Sequence, residues 1–332
     1  MDEEFPITSQ MLKAASADLR RFAGLLQDGS SKELYEMTAH HFGWDEDGRS
    51  GKGVRPLLCL LSCAAAGGDW ERAVPAATGI ELIHNFSLIH DDIEDGSDLR
   101  RHRPTLWKIW GMPQAVNAGD ALFALARLSG YRLLEHGHDR STILEILQLL
   151  DETCLDLTKG QYLDLGFDLE KPQILDRYLE MIRNKTASLV ASSAAVGALC
   201  AGAADPIVSA YRAFGHHLGL AFQILDDVLG IWGSEGSMGK PVGEDVATRK
   251  PSYPPMYALD NSQEFEHLWR DSEASNEQIM AALDRSGAQS AAHGAAAEQT
   301  RLAFENLATA SPTEPAASAL RGLADRLLVR ES

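Results

Sequence analysis

Apolar residues recur along this chain at the spacing of a helix rather than in the alternation of a strand. Leu12, Leu19, Phe22 and Leu26 mark the buried stripe of a helix over 8–28. A polar, Gly-rich stretch from Gly43 to Gly53 then delivers Lys52 and Arg55 to a helix starting at Pro56, where proline is tolerated and exposed backbone N–H groups favour anions. Further helices are predicted over 73–93, 114–135, 141–164, 172–183, 186–202, 205–231, 253–259, 275–285, 295–309 and 315–329. Ala- and Leu-rich segments dominate, so the expected fold class is all-α. No linker interrupts the pattern, and a single domain over 1–332 is expected despite the length.

Two of these apolar helices run into carboxylates. Phe86-Ser87-Leu88-Ile89 leads into Asp91-Asp92-Ile93-Glu94-Asp95, and Phe222-Gln223-Ile224-Leu225 into Asp226-Asp227. Asp91 and Asp95 lie one turn apart on one helical face, with Asp92 beside them. Oxygen ligands at that spacing suit a hard divalent cation, and Mg²⁺ usually arrives with phosphates. Arg100 and Arg101, just downstream, could hold diphosphate oxygens in bidentate fashion. Taken alone, either run also reads as a solvated acidic turn. If the two helices face one another, their carboxylates meet across one cavity and clamp a diphosphate through several metals.

Composition narrows the picture. Hydrophobic residues make up 45% of the 332, enough for a substantial core, and the net charge of −18 argues against a nucleic-acid partner. The same charge requires a local basic site for any anionic substrate. Cys59, Cys63, Cys154 and Cys200 fall in apolar helical segments without zinc spacing, so reduced core thiols are expected. Met1-Asp2-Glu3-Glu4 has the wrong charge for a signal or transit peptide. The uncharged run 187–204 is long enough to span a membrane but rich in Ala, Ser and Gly, and reads as a tightly packed core helix. A cytoplasmic protein without stable membrane insertion is the expectation.

The motifs, in order, resemble those of the trans-isoprenyl diphosphate synthase (polyprenyl synthetase) family. They are Gly51-Lys52-Gly53-Val54-Arg55-Pro56, His84, Ser87 through Asp95, Asp98 through Thr105, Gly119-Asp120, Gly160-Gln161, Lys185-Thr186, Phe222 through Asp227, Gly239-Lys240-Pro241 and Arg249-Lys250. The motif-bearing core covers about 50–252, with helices over 253–332 following; Leu323 through Arg330 resembles the family's last helix. The resemblance implies an isoprenoid-synthase helical bundle around a deep central cavity, assembled as a homodimer. It implies head-to-tail condensation of isopentenyl diphosphate with an allylic diphosphate, assisted by three Mg²⁺ ions per active site.

By position, the resemblance assigns metal binding to Asp91, Asp92, Asp95, Asp226 and Asp227, with Asp92 and Asp227 in supporting places. Arg100, Lys185 and Lys240 would grip the allylic diphosphate; Lys52, Arg55, His84 and Arg101 would grip isopentenyl diphosphate. Thr186 and Gln223 would place oxygens near the cationic carbon, and Lys250 would close the site. Read alone, His84 is as compatible with a core histidine and Lys185 with a solvated charge. His40-His41 and His216-His217 lack metal-site spacing and are expected to be structural, as are Trp107 and Trp110. The loop Gly233 to Gly239 has the composition of a flap over bound phosphates.

Two positions depart from the family pattern. Gly230 stands where the second acidic motif usually has its third Asp, and His102 where a glycine often follows the paired arginines. Chain length is expected to depend on Ser87, one turn below Asp91, and on Phe86, rotated by about 100° from Ser87 so that it narrows the pocket from the side. One aromatic with an uninterrupted first motif resembles geranylgeranyl (C20) synthases. Farnesyl or geranylfarnesyl products, a class I terpene cyclase and a non-catalytic regulatory subunit are the alternatives. The cyclase metal triplet of Asn, Ser and Glu is not found, and Lys52, Arg55 and His84 would be idle there.

Overall fold

A computed structural model describes residues 6–44, 51–233 and 244–328. The chain is built from helices: α1 (Pro6–Ala23), α2 (Lys32–Phe42), α3 (Val54–Ala65), α4 (Val74–Glu94), α5 (Leu106–Trp110), α6 (Met112–Tyr131), α7 (Arg140–Leu165) and α8 (Ile174–Ile182). After a π-helical turn, Arg183–Ala187, come α9 (Ser188–Cys200), α10 (Asp205–Trp232), α11 (Glu244–Ala247), α12 (Tyr253–Asn261), α13 (Gln263–Arg270), α14 (Asn276–Arg285), α15 (Ala288–Thr309) and α16 (Ala316–Leu328). Among the described residues the only strands are β1 (Leu99–Arg100) and β2 (Arg103–Pro104), an antiparallel pair.

The residues divide into two compact units. Of the described residues, the first comprises 6–44, 51–155, 192–212 and 309–320; the second comprises 156–191, 213–233, 244–308 and 321–328. In the first, α4 packs along α6 and is flanked by α1 and α3. Leu57, Leu58, Leu60 and Leu61 of α3 and Ile80, Leu82 and Ile83 of α4 are fully buried there. Cys59 and Cys63 share that core with Cys200, all as free thiols, and burial pushes their pKa values up. Position 197 of α9 must be glycine, because a Cβ there would lie 2.1 Å from the Cys59 carbonyl oxygen. In the second unit, Tyr178, Ile224, Ile231, Met256, Phe265, Trp269 and Leu283 form one apolar cluster.

Most predicted helices are present, with informative differences. Helix α1 stops at Ala23 and the chain tightens into a 3₁₀ turn at Gly24–Gln27, leaving Leu25 exposed. Helices α2 and α13 escape the periodicity because only one narrow stripe is apolar; α13 buries just Phe265 and Trp269, four residues apart. Helix α15 starts at Ala288 rather than 295, since its alanines outweigh Gly294. The run 187–204 is largely α9, buried along its length. Among the described residues no helix is long and apolar enough to cross a membrane.

Candidate active site

In the first unit the acidic run sits at the C-terminal end of α4. Gly96, with φ of 63°, ends that helix. The N–H of Ser97 donates to the Asp92 carbonyl (2.9 Å) and that of Gly96 to Ile93 (3.2 Å), a Schellman closure. The chain then enters the β1–β2 hairpin, whose two turn residues, Arg101 and His102, both have positive φ (52° and 64°). That is the backbone of a tight primed turn. It explains why glycine suits position 102, and histidine holds it here at some conformational cost.

The hairpin brings Arg100 back onto α4. Its Nε donates to both carboxylate oxygens of Asp92, at 2.9 and 2.8 Å, and its Nη2 lies 2.8 Å from Oδ1. Asp92 is buried, and burial pushes its pKa up although Arg100 pulls the other way. Asp95 is exposed and Asp91 half-buried. The pair on one face therefore reaches solvent while the middle aspartate is pinned. Thr105 and Trp107 brace the turn by donating to the Ser97 carbonyl, both at 2.8 Å.

Arg55, His84 and Arg101 form a basic cluster in the same unit. Arg55, in the first turn of α3, donates from Nη1 to His84 Nε2 (3.1 Å). Arginine has only donors, so His84 accepts at Nε2 and carries its proton at Nδ1. Burial, then Arg55 and Arg101, hold the His84 pKa well below its ordinary value. The buried Arg55 Nε has no acceptor among the described residues. Arg101 packs over Gly51, where a Cβ would lie 2.9 Å from its Nη2. Lys52 is exposed beside it in sequence.

Sequence reasoning missed the countercharge. Glu81, buried one turn before Asn85, faces Arg55 and Arg101; burial raises its pKa and both arginines lower it. Asn85 Nδ2 donates to the Glu81 carboxylate (3.1 Å), and His41 Nε2 donates to Asn85 Oδ1 (3.1 Å). Burial and the nearby Arg100 and Arg101 push His41 down to about 3. A carboxylate inside the apolar run 74–83 was the signal available for Glu81. His40 is structural, accepting from Arg103 at Nδ1 (2.9 Å) and donating to the Pro104 carbonyl (2.9 Å).

The second unit holds the other acidic run, in α10. Asp227 is buried with both oxygens engaged. Oδ2 accepts from Tyr178 Oη and from the Tyr253 N–H (2.9 Å), and Oδ1 accepts from Gln223 Nε2 (3.0 Å). Burial outweighs these donors and raises its pKa to about 7. Gln223 Oε1 in turn accepts from Thr186 Oγ1 (2.8 Å), so Thr186, Gln223 and Asp227 form one chain. Asp226 is half-buried next to them.

Lys185 and Thr186 lie on the π-helical turn. It comes so near α7 that a Cβ at Gly160 would be 2.3 Å from the Lys185 backbone nitrogen. Lys185 Nζ meets Asp164 Oδ2 at 2.6 Å. Burial alone would lower the Lys250 pKa, but Asp245, Asp227, Asp226 and Asp164 together raise it. Lys240 and residues 234–239 of the expected flap lie outside the described residues.

Among the described residues no three His, Cys, Asp or Glu side chains already converge on a metal position. Mg²⁺ binds through one or two carboxylates and fills its remaining positions with phosphate oxygens and water. The donor set is hard oxygen throughout, and Asp91 and Asp95 stand one turn apart on a solvent-reaching face.

The polyprenyl synthetase family model matches residues 33–285. A geranylgeranyl diphosphate synthase of Mycobacterium tuberculosis is 40% identical over 260 residues, covering 76% of this chain and 73% of that protein. A (2E,6E)-farnesyl diphosphate synthase of Mycobacterium bovis is 41% identical over 240 residues, covering 70% of this chain and 66% of that protein. The crystal structure of a polyprenyl synthase from Caulobacter crescentus, complexed with calcium and isoprenyl diphosphate, matches with a TM-score of 0.79 at 29% identity, over 98% of this chain and 97% of that one. With its all-α isoprenoid-synthase architecture, this chain belongs to the polyprenyl synthetase family and is a prenyltransferase of the trans-prenyl diphosphate synthase class.

Proposed function

We propose that the whole chain works as one catalytic domain that condenses isopentenyl diphosphate with an allylic diphosphate to give geranylgeranyl diphosphate (C20). The allylic C–O bond breaks, the alkene of isopentenyl diphosphate attacks the resulting carbocation, and the proton lost goes to the released diphosphate. Asp91, Asp95 and Asp226 would hold Mg²⁺, three ions in all, which would supply charge neutralisation for the leaving diphosphate. Asp92 keeps Arg100 aimed, and Arg100, Lys185 and Lys240 grip the allylic diphosphate. Lys52, Arg55, His84 and Arg101 take isopentenyl diphosphate, for which the unsatisfied Arg55 Nε supplies a donor. Thr186 and Gln223 offer oxygens to the carbocation without a nucleophile that would trap it. Asp227 supports Asp226 from behind, and Lys250 closes the site.

The observation that carries the reading is the Arg100–Asp92 clasp, which fixes a guanidinium on the helix end that carries Asp91 and Asp95. The C20 product rests on Phe86. Its ring lies edge-on to Phe123 at 5.3 Å and to His90 at 5.8 Å, while Ser87 stays small and donates to the His84 carbonyl (2.8 Å). One bulky wall and one open one suit a pocket of intermediate depth. The farnesyl product of the Mycobacterium bovis relative supports C15 as a second reading.

A homodimer is supported by the apolar side chains that α6 and α7 leave uncovered, among them Met112, Leu128, Tyr131 and Leu144. Radiolabelled isopentenyl diphosphate with C5, C10 and C15 primers and Mg²⁺, followed by dephosphorylation and sizing, tests the function. A ladder ending at C20 supports it, and one ending at C15 or C25 corrects the length. A cyclic hydrocarbon, or no turnover with any primer, refutes it.

A further inference from the structure

Two helices outside the acidic run decide what Thr186 can present to a substrate. Helix α8 packs along α12 in the second unit. Asp260 of α12 fastens the pair by capping α8: its Oδ1 accepts from the Ile174 N–H (3.2 Å) and its Oδ2 from the Leu175 N–H (2.9 Å). Each helix then sends one donor to the same carboxylate oxygen of α10. The Tyr178 hydroxyl of α8 and the Tyr253 N–H of α12 (2.9 Å) both donate to Asp227 Oδ2. Tyr178 is 1% exposed, and its hydroxyl spends its one proton there.

From Asp227 outward, each hydrogen bond fixes the next. With Oδ2 taken, Oδ1 faces Gln223, and a carboxylate oxygen accepts, so the amide presents Nε2 to it (3.0 Å). Gln223 Oε1 is thereby turned to Thr186, whose hydroxyl donates to it (2.8 Å). The Thr186 proton is consumed, and its oxygen has only lone pairs left to offer. Without the phenol, Asp227 Oδ2 keeps one donor of two, and the carboxylate is free to swing and take the Gln223 amide with it.

We propose that Tyr178 is a positioning residue for prenyl transfer, setting the direction of the hydrogen-bond chain through Asp227 and Gln223 so that Thr186 meets the carbocation with lone pairs rather than with its proton. The inference rests on the proposed reaction, in which Thr186 and Gln223 face that cation.

The test is steady-state kinetics of the full chain at pH 8 with Mg²⁺, isopentenyl diphosphate and geranyl diphosphate, with melting temperature as the check on folding. Tyr178→Phe removes one oxygen and keeps the ring. It is expected to lower kcat about tenfold, the scale of one hydrogen bond to a charged group, and to leave both KM values within about twofold, as for an interaction felt in the transition state. Thr186→Val also lowers kcat, and adding Tyr178→Phe to it is expected to cost less than about twofold more, because the chain has already lost its far end. A phenol that only filled the core would cost the same factor in both backgrounds. Should Tyr178→Phe fail to fold, 3-fluorotyrosine placed at 178 keeps the phenol, and its ¹⁹F signal is expected to move when Thr186→Val is introduced. Wild-type kcat in Tyr178→Phe, equal costs in the two backgrounds, or an unmoved ¹⁹F signal overturns the inference and leaves the proposed reaction standing. A wild-type protein that incorporates no isopentenyl diphosphate overturns the proposed reaction, and this inference with it.

Discussion

Arg100 and Asp92 are eight residues apart in sequence, yet the guanidinium reaches both oxygens of the buried carboxylate across the Gly96 reversal and the start of the hairpin. The pairing does two things. It compensates a carboxylate whose burial at the end of α4 would otherwise be costly, and it ties the hairpin to the helix end that carries Asp91 and Asp95.

Arg100→Ala therefore strands Asp92. Burial already raises the Asp92 pKa above its unfolded value, and removing the guanidinium raises it further. A group with a raised folded pKa stabilises most at low pH, and that stabilisation fades as pH rises. The variant is expected to lose about 3 kcal/mol of stability at pH 8 and less at pH 5, nearer the range in which a carboxylate takes a proton. Denaturant midpoints at the two pH values check this, and a deficit independent of pH would argue against the clasp as drawn.

Phe86 meets His90 and Phe123 edge-on, so its ring is held rather than free to turn aside. Phe86→Ala is expected to lengthen the dominant product by at least one isoprene unit, and Ser87→Phe to shorten it to C15. Sized, dephosphorylated products decide it. Wild-type product from both variants would remove these residues from chain-length control.

Gly160 permits the approach of the π-helical turn that carries Lys185 and Thr186. A methyl group there would lie 2.3 Å from the Lys185 nitrogen and 2.6 Å from its Cα, neither of which can rotate away. Gly160→Ala is expected to cost about 1–3 kcal/mol as overpacking and to raise KM for the allylic primer as Lys185 is displaced. A variant with wild-type melting temperature and KM would show that the turn tolerates the shift.

Sequence made the acidic helices legible because an apolar run ending in carboxylates is costly and therefore rare. The same cost flags Glu81, but a single carboxylate inside an apolar helix gives no hint of its partners. Its pairing with Asn85, Arg55 and Arg101 depends on α3, the hairpin and α4 meeting in space. His41 was illegible for a related reason: its partner Asn85 lies 44 residues away, and no local pattern connects them. The hairpin turn was readable only as a departure, His102 in place of glycine. The left-handed conformation that explains it appears once the backbone is traced. Helices α2 and α13 were missed because two or three buried side chains suffice to anchor a short helix, too few to establish a period.

Asp227 provides the clearest pH signature of the second unit. Tyr178, the Tyr253 N–H, Gln223 and Lys250 all favour its ionised form, but burial outweighs them and lifts its pKa to about 7, against 3.8 for an ordinary aspartate. The folded state therefore holds this proton more tightly than the unfolded chain. Its stabilising contribution is complete below about pH 4 and is lost as pH rises through about 7. Asp227→Asn carries no titrating group, and its one carboxamide oxygen cannot serve both the Tyr178–Tyr253 position and the Gln223 position. The variant should be less stable than wild type at every pH, with the gap largest near pH 4 and narrowing by about 3 kcal/mol toward pH 8. Urea unfolding across that range tests the sign, and a gap that widened with pH would mean that Asp227 is ionised in the folded protein throughout.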